Sequence, residues 1–326
     1  LSGKKRRDVN GTGTVRAGVI GAGVFGRFHA QKYAALDGVQ LIGIADSHGE
    51  RAMDASAVHG VGAFTRIDDL LAEVDIVSVA TPAVTHAAVA SRCLAAGKHV
   101  YLEKPIATTE QDADMLIALA QRQGLVLQVG HQERIVVGAA GLLSRAAVPV
   151  RIECVRAGPF NGRATDVSVA LDLMIHDLDL LHLLVRSPAT SVKAAERPGP
   201  GGLSDEVEAD IVHANGCRAR LLSSRNATAR QRTLTVVYPD GEIVIDFLAK
   251  TVKNTTPDNL PEIFRNGAAV MPEAADPVGS SVARFVAAVR SGGQPYVAPL
   301  DARRALEAAN LVLAAARARR PAEAAV

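Results

Sequence analysis

Tryptophan is absent, and aromatic residues make up 3% of the 326 residues, so the chain lacks the ring-bearing platforms on which single-stranded nucleic acid stacks. Cysteine is scarce as well. Cys93, Cys154 and Cys217 are odd in number and unclustered, which argues against a disulfide framework or a cysteine metal site and for a reducing compartment. No HExxH or HxxxH spacing occurs, so no metal is expected. No apolar run reaches the ~18 residues of a membrane span, and no leader pattern is visible, so neither a membrane nor a nucleic-acid partner is expected and the expected setting is cytoplasmic. Charge of one sign is also missing: the formal net charge is only +2. Part of the positive charge lies in KKRR at residues 4–7, which reads as part of an unstructured tail over residues 1–14.

What the chain does have is glycine in one informative place. In VRAGVIGAGVFGRF, residues 15–28, a short apolar run breaks into Gly21, Gly23 and Gly26 and resumes as a helix. This is the GxGxxG of a dinucleotide site. Gly21 makes the tight turn, Gly23 lets the backbone approach a pyrophosphate, and Gly26 lets the helix lie close on the sheet. Val24 and Phe25 sit inside that turn, at a helix N-terminus suited to phosphate. A second apolar run ends at Asp46, about 20 residues past Gly26, where a carboxylate can accept hydrogen bonds from an adenosine ribose. That carboxylate favours NAD by repelling a 2′-phosphate, while His48 and Arg51 soften the exclusion and leave NADP as the alternative.

From residue 15 to residue 130, strand-like and helical periods alternate as in a parallel sheet. The nearly all-apolar run over 74–80 reads as a central strand leading into Thr81 and Pro82, with His86 opening the next helix. Loops at the carboxyl ends of such strands face the ligand, so Thr81, Pro82 and His86 are candidate cofactor contacts. The strand over 99–102 leads directly into Glu103-Lys104-Pro105, where the proline keeps Lys104 extended and projects it from the same edge. Glu103, Lys104 and Gln132 complete the expected cofactor contacts.

Beyond residue 130 the alternation becomes irregular, so residues 15–130 are assigned to a dinucleotide-binding domain and 131–326 to a substrate-binding and oligomerisation domain. The second half is dominated by the apolar run over 171–185, a buried helix carrying Asp172, His176, Asp179 and His182. Asp172 and His176 are one turn apart on one face. A carboxylate beside an imidazole suits a base that takes a proton from an alcohol near neutral pH. His182 reads as a boundary histidine, and Asp177 and Asp179 as rim or capping groups. The runs over 192–195, 208–213, 218–223, 232–238 and 241–247 read as strands. The polar stretch over 255–277 reads as a mobile loop.

Together, the glycine turn, Asp46, the TPxxxH at Thr81 to His86, the EKP at Glu103 to Pro105 and the Asp172-x-x-x-His176 helix resemble the glucose-fructose oxidoreductase, inositol dehydrogenase and rhizopine-catabolism (Gfo/Idh/MocA) family. The resemblance implies an N-terminal Rossmann domain and a C-terminal α/β domain with a large open, mostly antiparallel sheet. That sheet's outer face would make a homodimer or homotetramer. It also implies a catalytic set of Lys104, Asp172 and His176, with the histidine accepting a proton and the lysine polarising the reacting oxygen. The segments over 130–134, 163–184 and 245–254 look most like the branch oxidising the 3-hydroxyl of UDP-N-acetylglucosamine-type sugars, whose 3-keto products are usually aminated next, a chemistry of lipid A and lipopolysaccharide synthesis. Arg156, Arg163, Arg225, Lys250 and Lys253 are then candidates to meet a diphosphate. The alternatives are a dehydrogenase of free sugars or inositols, and a nucleotide-sensing protein without turnover.

Overall fold

The computed structural model describes residues 13–319. The expected unstructured tail therefore falls almost wholly, over residues 1–12, outside the described residues, as do the last residues from 320 on.

The first half alternates strand and helix as its periodicity demands: β1 (Val15–Ile20), α1 (Val24–Ala35), β2 (Val39–Ala45), α2 (Gly49–Ala57), β3 (Gly62–Phe64), α3 (Ile67–Leu71), β4 (Ile76–Val79), α4 (His86–Ala95), β5 (His99–Leu102), α5 (Glu110–Gln123) and β6 (Leu127–Val129). The six strands are parallel in the order β3-β2-β1-β4-β5-β6. This is the doubly wound order, and its direction reverses between β1 and β4, where dinucleotides bind. β4 and β5 are buried along their whole length, which explains their mostly apolar composition; each buries one polar residue, Ser78 and His99. Local signals set the helix ends. The Thr109 hydroxyl accepts the Asp112 N–H at 3.1 Å to start α5, and Gly124, at φ 59°, ends it in the left-handed region.

The second half contains α6 (Glu133–Ala139), β7 (Arg151–Pro159), α7 (Ile175–Val185), β8 (Ala189–Pro198), β9 (Ser204–His213), β10 (Arg218–Ser224), β11 (Asn226–Tyr238), β12 (Gly241–Asp246) and β13 (Thr251–Asn254). Strands β7 to β13 form an open seven-stranded sheet in the order β13-β12-β11-β7-β10-β9-β8. Every pair is antiparallel except β7 with β10, as the expected C-terminal fold requires. One face buries Ile152, Cys154, Ile211, Leu221, Leu234 and Ile245, and the alternate residues of each strand point to the opposite face. The stretch over 255–277, expected as a loop, instead holds a two-stranded hairpin, β14 (Phe264–Arg265) with β15 (Ala268–Ala269), and a short helix, α8 (Pro272–Ala275). Two-residue strands and a four-residue helix are too short to leave a periodic signature.

Two further helices follow, α9 (Pro277–Ser291) and α10 (Pro299–Ala318). A single boundary at residue 130 does not describe the chain. Among the described residues, one compact unit contains residues 13–131 together with Val278–Arg303, and the other contains Gln132–Pro277 and residues 304–319. The cause is apolar burial: Val282, Phe285, Val286 and Val289 of α9 share one core with Val15, Val19, Tyr33, Ile76 and Tyr101. Polar contacts reinforce it, with Tyr101 Oη 2.9 Å from Ser281 Oγ and Gln128 Nε2 donating to the Ser281 carbonyl at 3.0 Å.

Candidate functional site

The glycine turn is built by contacts that only glycine permits. Gly21 has φ 99°, and a Cβ there would stand 2.5 Å from the Ala80 carbonyl oxygen. A Cβ at Gly26 would stand 1.7 Å from the Gly21 carbonyl oxygen, so the helix packs directly on the turn. Gly23 differs: a Cβ there would meet nothing within 4 Å. Its absence is not required by the fold, and the open side is the one a pyrophosphate would approach. Gly23 caps α1 with no side-chain cap of its own, the first turn holds no acidic residue, and Val24 is exposed beside it, an arrangement that suits an anion at the positive end of the helix. These features fit a dinucleotide.

Asp46 follows β2 at the same edge. Its carboxylate accepts the Ala22 N–H at 2.8 Å and the His48 N–H at 2.9 Å, so it holds the glycine turn. Burial pushes the Asp46 carboxyl up, but these two donors and nearby Arg51 outweigh it, and the group titrates below its ordinary value. Arg51 is exposed on α2. Arg27 donates to the Ala22 carbonyl at 3.2 Å, adding a second cation beside the turn.

After β4, Thr81 is half-buried and Pro82 exposed, and Thr85 donates to both the Thr81 hydroxyl (2.8 Å) and the Pro82 carbonyl (2.7 Å). His86, expected as a cofactor contact, turns inward. It is 1% exposed, with Nδ1 2.7 Å from the Pro105 carbonyl and Nε2 3.0 Å from the Thr81 carbonyl. The ring thus ties the turn after β4 to the Lys104-Pro105 peptide, which is cis. Burial moves the His86 pKa below its ordinary value despite the two carbonyls, so near neutral pH the ring is neutral and donates to one of them at a time.

Glu103 also turns inward. Its Oε1 accepts from His29 Nε2 at 2.9 Å, and a Cβ added at Gly130 would stand 2.9 Å from each carboxylate oxygen. Ser78 Oγ lies 3.0 Å from His29 Nδ1 and 2.8 Å from Tyr33 Oη, so a buried chain of hydrogen bonds runs Tyr33–Ser78–His29–Glu103 beneath Lys104. Because a carboxylate only accepts, the His29 proton sits on Nε2. Burial pushes Glu103 up, but His29, then Lys104 and His86, pull it below its ordinary value. Lys104 itself is half-buried. His29 was not anticipated. Its signal is its place among the buried α1 positions Gly26, His29, Ala30 and Tyr33, a polar residue on the apolar face.

In the second unit, Asp172 does not lie in an ordinary α-helix. Ala170–Met174 forms a π-helical turn that widens the spacing before α7 begins at Ile175. Asp172 Oδ2 accepts from Arg225 Nη2 at 2.9 Å, and His176 is 9% exposed on the first turn of α7. The other acids of this helix are buried partners rather than rim groups. Asp177 pairs with Arg156 at 2.7 Å, which also reaches Glu133 at 2.9 Å, and Asp179 pairs with Arg134 at 2.5 Å. Arg156 and Arg225, 3% and 7% exposed, are therefore internal braces, whereas Arg163, Lys250 and Lys253 are exposed. Gln132 is buried at the start of α6. His182 is exposed, with Nε2 3.3 Å from an Arg304 nitrogen. No cluster able to hold a metal occurs among the described residues. All three cysteines are free and buried, and burial pushes the Cys93 thiol up to about 12. A cavity of about 790 Å³ lined by His99, Gln121, Leu127 and Gln294 lies at the amino ends of β5 and β6, the edge opposite the glycine turn.

A doubly wound sheet with this glycine turn, a carboxylate after β2 and a lysine after β5, joined to a unit with an open antiparallel sheet, defines a nicotinamide-dinucleotide oxidoreductase. The chain belongs to the Gfo/Idh/MocA family: residues 15–131 match its oxidoreductase family, NAD-binding Rossmann fold, and residues 150–244 match its C-terminal domain. It is 40% identical over 260 residues, 79% of each chain, to the UDP-N-acetylglucosamine 3-dehydrogenase of Acidithiobacillus ferrooxidans. The structure of that organism's enzyme superposes with a TM-score of 0.83 at 36% identity, covering 93% of this chain and 98% of the other. The WlbA dehydrogenase of Bordetella pertussis, in complex with NADH and UDP-GlcNAcA, shares the fold at a TM-score of 0.82 and 19% identity, over 94% and 96% of the two chains. The chain is thus an NAD(P)-dependent oxidoreductase acting on CH–OH groups. No described helix is long and apolar enough to cross a membrane.

Proposed function

We propose that the chain oxidises the 3-hydroxyl of a UDP-N-acetylglucosamine-type nucleotide sugar to the 3-keto sugar, with NAD as the acceptor. The observation that carries this substrate is the likeness, over 79% of both chains, to a UDP-N-acetylglucosamine 3-dehydrogenase. NAD, when bound, supplies the hydride acceptor for the carbinol hydrogen. Gly23, the N-terminus of α1 and Asp46 would hold its pyrophosphate and adenosine ribose. Lys104 holds the reacting oxygen through its ammonium and stabilises the negative charge that develops there as the proton leaves. His176 takes that proton, and Asp172 keeps the turn that carries the imidazole in place. Glu103, ionised under Lys104, offsets the lysine charge from below.

Removing a general base costs ~10²- to 10⁴-fold in rate. His176→Ala is therefore expected to bind NADH like the parent and lose most turnover, and near-normal turnover would remove the assignment. The same reading makes the protein a homo-oligomer. Val155, Leu222, Val237 and Val244 lie half-buried on the sheet face opposite the core, a surface suited to a second copy. Light scattering at micromolar concentration is expected to give a dimer or tetramer, and a 34.0 kDa species would contradict it.

A further inference from the structure

Arg225 was a candidate for the substrate diphosphate, but its surroundings assign it another task. It is the single residue between β10 and β11, and its guanidinium is buried where four segments of the second unit converge. Nη1 donates to Asp205 Oδ1 at 3.0 Å, and Nη2 donates to Asp172 Oδ2 at 2.9 Å and to the Ala164 carbonyl at 2.7 Å. The Val167 carbonyl lies 3.4 Å from Nη1. Ala164 has φ 50°, an unusual conformation for a residue with a Cβ, and it turns its carbonyl to this cation.

The far side of the cluster is equally built. Asp205 is 0% exposed, accepts the Gly201 N–H at 2.6 Å, and receives the Arg225 N–H on its own carbonyl at 2.7 Å. A Cβ at Gly201 would stand 2.8 Å from Asp205 Oδ2, and one at Gly199 would stand 2.6 Å from Asp205 Cβ. The aspartate is thus clamped by backbone that only glycine allows. A guanidinium presents its donors in a rigid planar fork, so fixing one side on Asp205 fixes the direction of the other toward Asp172.

We propose that Arg225 is a positioning residue that transmits this anchor to Asp172, holding the π-helical turn, and with it His176, in register with the loop over 164–167. The proposal rests on the reading of Asp172 and His176 as catalytic. A small misplacement of a catalytic group costs up to ~10²-fold, so Arg225→Lys, which keeps the charge but loses the fork, is expected to lower kcat about 10- to 100-fold. The sugar KM and the NADH dissociation constant are expected to stay within about threefold of the parent.

The test is a double-mutant cycle of Arg225→Lys with Asp172→Asn, read as kcat and KM on whichever of UDP-N-acetylglucosamine, free N-acetylglucosamine and myo-inositol the parent oxidises. A wrong substrate therefore sinks the functional reading and leaves this test intact. If Arg225 acts through Asp172, Arg225→Lys adds little or no loss in the Asp172→Asn background. Full additivity would overturn the proposal, as would a raised KM at unchanged kcat, which would make Arg225 a phosphate ligand. Normal turnover by Asp172→Asn alone would overturn it too. Should Arg225→Lys fail to fold, Asp205→Asn loosens the same fork from the other side, and the same non-additivity with Asp172→Asn is expected.

Discussion

Replacing His29 by leucine tests the buried chain beneath Lys104. The substitution keeps side-chain bulk against Tyr101, whose ring lies 4.7 Å from the imidazole, and removes the donor 2.9 Å from Glu103. In the parent, Glu103 titrates below its ordinary value because His29, Lys104 and His86 together outweigh burial. A depressed carboxyl contributes stability that is complete above its unfolded pKa and is lost as pH falls through the folded value. Without the His29 donor, burial gains the upper hand and the folded pKa rises above the unfolded one. The sign then reverses, and stability falls as pH climbs from about 4.5 toward neutrality, by at most about 1.4 kcal/mol per pH unit for one proton. Leaving a buried ionised carboxylate without a hydrogen-bond donor costs about 1–3 kcal/mol, so a loss of that order is expected at pH 7 and a smaller one at pH 5. Urea unfolding of parent and variant across this range reads both magnitude and slope. Parallel pH profiles, or a loss below about 1 kcal/mol at pH 7, would refute the claim that His29 holds Glu103 ionised.

The glycines of the turn separate fold from ligand. Gly26→Ala is expected to prevent stable folding of the first unit, whereas Gly23→Ala, with open space for its Cβ, is expected to keep the parent unfolding midpoint and weaken NADH by at least about tenfold in a fluorescence titration. Asp46→Ala is expected to narrow the preference for NADH over NADPH in paired dissociation constants, since it removes a carboxylate that repels a 2′-phosphate while leaving Arg27 and Arg51 in place. Tighter NADPH binding by the parent would overturn the reading of Asp46.

The Rossmann half was legible because each of its devices is local. A parallel strand buried on both faces leaves an apolar run, a helix end leaves Thr109 or Gly124, and the phosphate turn leaves three glycines. Most strands of the second sheet were legible for the same reason, but β13, four residues that are exposed or half-buried, was not anticipated. What the sequence hid depends on contacts far along the chain. The return of α9 to the first core pairs Phe285 with Tyr101, and the inward turn of His86 depends on the Pro105 carbonyl. Arg156 and Arg225 show the difficulty most clearly. An arginine that binds a diphosphate and one that braces two aspartates look alike in sequence, and only burial with partners in hand separates them. The π-helical turn at Asp172 is a one-residue change in winding, invisible to a periodicity count over a leucine-rich run.

The measurement that bears most directly on the account follows NADH formation by the parent enzyme with NAD and, in parallel, UDP-N-acetylglucosamine, free N-acetylglucosamine and myo-inositol, identifying the product by mass and by trapping of a ketone at carbon 3. NADH formation with the nucleotide sugar and a 3-keto product is expected, and both are expected to be lost in Lys104→Ala and His176→Ala. Turnover confined to the free sugar or the inositol would contradict it.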